Sequence, residues 1–191
     1  VKLFHSKRKK QIGGFVGTPR PSAQQHDVKT AIVLICGMIT DREKHFMQLA
    51  IEESTLGLHA GHGGPFGCII VKGDEVIARA HNEVLCSNDP TAHAEVVAIR
   101  KACAALGSFQ LDGCEMYCSC EPCPMCLGAI YWARPDKVYY ANEPADAAAV
   151  GFDDQFIYDE INLPKAERRI PFIALRVPNQ DIAFKTWQQM E

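Results

Sequence analysis

No run of this sequence is long and apolar enough to cross a bilayer, so a transmembrane helix is not expected. The apolar stretch from Ala31 to Ile39 is too short for that. As a secretion signal it also fails. Its positive charges lie far upstream, and Thr40-Asp41-Arg42-Glu43 follows where a small-residue cleavage site is needed. Internal repeats are missing as well. So is a surplus of positive charge over most of the chain. Residues 1–37 hold seven Lys or Arg and one acid, which leaves thirteen basic and twenty-two acidic residues and a net charge of −9 for the remainder. Such a body is a poor polyanion binder, because nucleic-acid affinity depends on Lys and Arg neutralising phosphates. The expected substrate is small or neutral, with neither nucleic acid nor membrane as a partner. Nor do the cysteines suit a disulfide framework. Nine is an odd count, in a chain of 191 residues, and this points to reduced thiols and a cytoplasmic protein.

What is present fits one well-buried globular domain: 47% hydrophobic and 23% charged residues. Residues 1–37 read differently from the rest. They combine a basic run, Lys7 to Lys10, with glycines and prolines. They are expected to form a disordered extension, with the domain running from 38 to 191 and its order beginning near Met38.

Periodicity predicts a helix capped by Asp41, with Phe46, Leu49, Ala50, Glu53 and Leu56 at helical spacing, ending at the Gly57 to Gly64 stretch. Two strands, 67–71 and 76–80, are joined by the turn Lys72-Gly73-Asp74-Glu75. A helix from about Ala92 to Ala105 follows the loop Asn88-Asp89-Pro90-Thr91. Next come a strand from Cys114 to Cys118, a helix opened by Pro124 and running to about Trp132, a strand at 137–141 and a short helix at 146–150. Alternating strands and helices predict an α/β fold, a three-layer α/β/α arrangement over a central mixed sheet of five strands.

The chemistry is concentrated in a split constellation. His93-Ala94-Glu95 is followed, thirty residues after the histidine, by Pro122-Cys123-Pro124-Met125-Cys126. His93, Cys123 and Cys126 offer three ligands to Zn2+ and leave the fourth tetrahedral position for water, which is the arrangement of a catalytic site. Glu95 is not needed as a ligand and is free to move protons for that water. The predicted helices start at His93 and at Cys123, so two positive helix ends would face the metal and favour thiolates. H-x-E followed by P-C-x-x-C is the signature of zinc-dependent nucleobase deaminases.

Each residue has a plainer reading. Taken singly, His93 would be an ordinary capping or packed histidine. Cys123 and Cys126 could complete a four-cysteine structural zinc set with Cys118 and Cys120, but that leaves His93, Glu95 and Pro122 unexplained. The other cysteines, Cys36, Cys68, Cys86, Cys103 and Cys114, read as small apolar residues. Beside a flat heterocycle Phe66 is a candidate stacking face, or a core residue. Asn82 could pair with a purine edge, or simply end a strand. Trp132 could line the pocket, or pack its helix.

From Phe46 to Trp187 the chain resembles the cytidine-deaminase-like superfamily, and within it the guanine deaminases. The resemblance rests on Gly-Gly-Pro-Phe-Gly (63–67), Ser-Asn-Asp-Pro-Thr-Ala-His-Ala-Glu (87–95), the segment 119–134 around the two cysteines, and Gly-Phe-Asp-Asp (151–154) with Ile157-Tyr158. It implies that His93, Cys123 and Cys126 hold one zinc ion and that Glu95 shuttles protons. It implies that Asn82 and Asp154 hydrogen-bond guanine and that Phe66 stacks on it, with Ala94 and Trp132 also at the substrate. A carboxylate at Asp154 suits the ring N–H donors of guanine. The resemblance further implies a homodimer in which the C-terminal segment crosses to the partner and supplies a terminal tyrosine; this sequence stops at Glu191 without it.

The activity so implied is hydrolytic deamination of guanine to xanthine and ammonia. Guanosine deamination is an alternative, since ribose tolerance depends on loops. A tRNA adenosine deaminase shares the Pro-Cys-x-Met-Cys motif but needs a basic face. A zinc-stabilised interaction module without catalysis is the reading from a different class.

Overall fold

The structure, a computed structural model, describes residues 39–190. The expectations for residues 1–37 and for an ordered start near Met38 therefore lie outside the described residues. Residues Arg42 to Glu191 form one compact unit, which carries the sheet and the helices around it.

Helix α1 (Asp41–His59) buries Phe46, Ala50, Ser54 and Gly57, a stripe three to four residues apart. It ends at His59, within the Gly57 to Gly64 stretch where its end was expected. Leu56 falls on the opposite side of the helix from that stripe and is 59% exposed, so it is not the inward-facing residue its spacing suggested. Strand β1 (Gly67–Lys72) and strand β2 (Glu75–His81) form the expected hairpin, with Lys72 opposite Glu75 across a two-residue turn at Gly73 and Asp74. Gly73 has φ +59°, a conformation that glycine adopts without steric cost. A short α2 (Val84–Ser87) leads to α3 (Ala94–Leu106), which ends at Gly107 in the left-handed conformation. Then come β3 (Cys114–Cys120), α4 (Pro124–Ala133), β4 (Lys137–Asn142), α5 (Pro144–Ala149), α6 (Gln155–Asn162) and α7 (Ile182–Gln189).

One mixed sheet has the order β2-β1-β3-β4. β1 is antiparallel to β2 and to β3, and β3 is parallel to β4. Among the described residues the sheet has four strands where five were expected. Residues 171–177, rich in apolar side chains, adopt neither helix nor strand.

Alternate residues of the central strands feed two separate clusters. Ile69, Val71 and Tyr117 pack with Phe46 and Ala50 of α1. Cys68, Ile70, Met116 and Cys118 pack with Ala94, Val97 and Ala98 of α3 and Ile130 of α4. The consequence for function is positional. α3 and α4 lie against the same side of the sheet, so their first turns can meet.

Candidate active site

His93 is the N-cap of α3 and Cys123 the N-cap of α4, both with extended backbone. Pro124 follows as the first residue of α4, where its missing N–H has no helical partner to lose. Cys126 sits one turn further and is fully buried. The strand-to-helix turn before Cys123 is held by the Glu121 amide, which donates to the carbonyl of Asn142 at 2.9 Å. As a result His93 Nδ1 lies 3.6 Å from Cys123 Sγ and 3.5 Å from Cys126 Sγ. A tetrahedral zinc with Zn–S of about 2.3 Å and Zn–N of about 2.0–2.1 Å separates neighbouring nitrogen and sulfur ligands by about 3.6 Å. The three ligand atoms all lie within 4.8 Å of one another, a group able to hold a metal ion. Cys118 is not part of it. Its sulfur lies 3.8 Å from that of Cys68 across the β1–β3 ladder, both thiols buried, so the four-cysteine arrangement does not form.

Electrostatics tie the three groups together. A hydrogen bond from Cys126 holds the Cys123 thiol down to about 4, and His93 adds to the effect. The same bond, with burial, pushes Cys126 up. His93 is raised by its bond to Cys123. Protons are thus shared inside a cluster that favours negative charge on the Cys123 sulfur, and a bound divalent cation would displace the proton left on Cys126. Glu95 is only 7% exposed, and burial raises its carboxyl above the usual range. A buried carboxyl beside the cluster is a group that can both take and return a proton.

His93, Glu95 and Cys123 line a cavity of about 660 Å³. Phe66, Asn82 and Asp154 line it as well. Asn82 is 5% exposed, and its Oδ1 accepts from the Val84 amide at 3.1 Å, leaving the side-chain N–H groups as donors. Asp154 is raised by burial and by the charge on Cys123. Phe66 meets Phe152 edge to face, with ring centroids 5.1 Å apart. Two substrate positions expected from sequence fall elsewhere. Trp132 is 75% exposed and does not line the cavity. The inner face of α4 carries Cys126, Ile130 and Ala133, so Trp132, one residue before Ala133, points away from it. Ala94 is fully buried in the core cluster and is also absent from the lining. Glu121 and Phe152 line the cavity and had drawn no separate attention in the sequence, although each sits inside a motif. Their only signal was adjacency to Cys123 and Asp154.

A family model for the cytidine and deoxycytidylate deaminase zinc-binding region matches residues 40–142. The chain belongs to that deaminase family. Its members are zinc-binding, and here His93, Cys123 and Cys126 form the site able to hold the ion. Within the family, the chain is 57% identical over 143 residues to the guanine deaminase of Bacillus subtilis, covering 75% of this chain and 92% of the relative. The X-ray structure of a B. subtilis guanine deaminase superposes with a TM-score of 0.76 at 54% identity, over 79% of this chain and 95% of that one. A tRNA-specific adenosine deaminase from Aquifex aeolicus is 42% identical over 99 residues, 52% of this chain and 65% of that relative. No helix among the described residues is long and apolar enough to cross a membrane.

Proposed function

We propose that this protein deaminates guanine hydrolytically, giving xanthine and ammonia. The observation that carries the reading is one cavity bearing Asn82 and Asp154 together with His93, Glu95 and Cys123, in a chain 57% identical to a guanine deaminase. Asn82 offers amide donors to the purine carbonyl, and Asp154 accepts from ring N–H. Phe66 and its partner Phe152 form an aromatic wall for a flat base. Zinc held by His93, Cys123 and Cys126 would supply a Lewis acid that brings the pKa of water toward neutrality.

Glu95 does the proton work. It accepts one water proton and delivers it to N3 of the base as the oxygen adds to C2, then takes the remaining proton from the C2 hydroxyl and passes it to the amine, so that ammonia leaves as the C2 carbonyl forms. Its burial favours the protonated form from which both deliveries are made. Among the described residues no Lys or Arg lines the cavity, which disfavours phosphate-bearing substrates and with them a tRNA. Guanosine is the second reading, because about 660 Å³ has room for more than a base.

The deaminase domain is read as 38–191, in the cytoplasm, where thiols stay reduced. We infer that it works as a homodimer and that the complete fold is a three-layer α/β/α sandwich. Its fifth strand would come from the apolar segment near 171–177, paired across the subunits.

Ammonia release from zinc-loaded protein tests the reading, with guanine, guanosine, adenine, cytosine, ammeline and a tRNA as separate substrates. Turnover of guanine above the others is expected. Turnover of guanosine without guanine would replace the first reading by the second. If nothing reacts, the zinc-stabilised interaction module gains.

A further inference from the structure

Beside the cavity, and without a part in the deamination chemistry, three side chains form a hydrogen-bonded chain. Glu53 lies on α1, His81 is the last residue of β2, and His62 precedes the Gly63-Gly64-Pro65-Phe66 loop. His81 Nδ1 lies 3.4 Å from Glu53 Oε2, and His81 Nε2 lies 2.8 Å from His62 Nδ1. A carboxylate only accepts, so it orders the chain. His81 donates to Glu53 through Nδ1 and accepts at Nε2 from the Nδ1–H of His62. Arg79 stands 4.0 Å from the other oxygen of Glu53 and keeps that carboxylate supplied with positive charge. The His81 ring fills the space over Gly57, where an added Cβ would stand 2.5 Å from its Cγ.

His62 and His81 each adjoin, in sequence, a residue that lines the cavity: Gly63 and Asn82. The His62 amide donates to the Gly57 carbonyl at 3.0 Å, and the His62 carbonyl accepts from Leu85 at 2.9 Å and Cys86 at 3.1 Å. His62 therefore ties the end of α1 to the start of α2. The next residue, Gly63, packs so closely on Asn82 that a Cβ there would collide with Asn82 Oδ1 and stand 2.8 Å from the Asn82 carbonyl oxygen. His81 is the residue before Asn82, whose amide donates to the Phe66 carbonyl at 3.0 Å. The His62–His81 bond thus closes a ring of contacts joining the segment that carries Phe66 to the segment that carries Asn82.

We propose that Glu53, His81 and His62 are positioning residues that hold the Asn82 amide and the Gly63–Phe66 loop in register for the purine. The inference rests on the guanine reading for its substrate, though not for its geometry. The metal ligands and Glu95 lie on α3, α4 and the turns that open them, whereas this chain runs through α1, β2 and the loop between α1 and β1. Its loss should therefore weaken substrate binding more than turnover.

His81→Leu removes both hydrogen bonds. It is expected to raise KM for guanine by about tenfold with kcat within about threefold of wild type, the scale of losing one or two such bonds. In His81→Gln the amide can donate to Glu53 and accept from His62, and KM should return to within about threefold of wild type. An unchanged KM in His81→Leu overturns the proposal. So does His81→Gln being as impaired as His81→Leu, since ring packing alone would then be the cause. His62→Leu, at the half-buried end, is the second arm and is read in the same way should His81→Leu fail to fold. If the wild-type protein does not turn over guanine, the functional reading falls, and amide exchange decides the positioning claim. Exchange at Asn82, Leu85 and Cys86 that quickens in His81→Leu or His62→Leu and recovers in His81→Gln supports it; equal exchange in all of them sinks it.

Discussion

Glu95 has the sharpest consequence of any single side chain. It lines the cavity beside His93 and Cys123 but is outside the group that can hold the metal. Its substitution should therefore separate chemistry from metal binding. Glu95→Ala is expected to keep about one zinc per chain while kcat falls at least about a hundredfold, the usual scale for a general acid–base group. Metal analysis and steady-state rates on the same preparation check both halves, and near-wild-type kcat in the zinc-loaded variant would remove Glu95 from the mechanism. At this scale much was legible from sequence. His93, Cys123 and Cys126 could be paired across thirty residues because ligand type, spacing and helix-opening position agree. Asn82 and Phe66 were no more than candidates with plainer alternatives, and Asp154 was singled out only by a family resemblance, because a lone amide, ring or carboxylate has many uses. Trp132 was misread for a geometric reason: on α4 only the face of Cys126, Ile130 and Ala133 turns inward, and a tryptophan two places from Ile130 lies off it. The His62–His81 pair left no trace in the pattern, since nineteen residues and a hairpin separate two histidines that meet only after folding.

Among the elements, α1 and β1 are the most tightly matched. A Cβ at Gly67 would collide with the Ala50 carbonyl of α1 and stand 2.5 Å from the Ser54 amide nitrogen, both backbone atoms that cannot turn aside. Gly67→Ala must push the helix off the sheet. The expected cost is about 2–3 kcal/mol, as for other overpacking changes. That should lower Tm by roughly 5–10 °C in a chain of this size. Gly128→Ala on α4 is the control: the added methyl meets nothing within 4 Å, so helix propensity should leave Tm equal or higher. A Gly67→Ala Tm within a degree or two of wild type would mean that α1 is not seated against β1 at Ala50 and Ser54. The element pattern itself was largely readable. The hairpin, the two helices that open at the metal ligands, and strands β3 and β4 all lie within a few residues of their expected positions, because alternation, proline and glycine marked their ends. The end of α1 was readable too, since the helix stops at His59 within the glycine-rich stretch from Gly57 to Gly64; what the pattern could not show is that Gly57 is buried under His81.

For the whole molecule, the uneven distribution of apolar surface is what matters. In the last third of the described chain Ile173 is 85% and Leu175 83% exposed, and Ile170, Phe172, Val177 and Phe184 are exposed too. Isolated apolar side chains on a surface need no explanation, but a run of them this close in sequence points to a partner surface. The edge strand β4 leaves its outer backbone groups unpaired by any strand among the described residues, and its last three residues, Tyr140, Ala141 and Asn142, are exposed. An extended apolar segment and an open sheet edge are complementary. Among the described residues no strand pairs with the outer edge of β4 and residues 171–177 join no sheet; sequence pattern registers strand propensity but not the partner with which a strand pairs. The proposed homodimer would satisfy both. A protein ending after Asn162 should then elute as a monomer where the 191-residue chain elutes as a dimer. It should also lose most of its turnover, because α6, which carries cavity residues Phe156 and Ile157, would lose the hydrogen bonds that Arg168 donates to the Ile161 carbonyl and the Arg169 amide to Glu160. Light scattering coupled to gel filtration reads the first effect and ammonia release the second. A truncated chain that stays dimeric would place the subunit contact elsewhere, on surfaces such as the exposed side of α4 with Leu127, Tyr131 and Trp132. A monomer that retains full turnover would show instead that the cavity is complete within a single subunit.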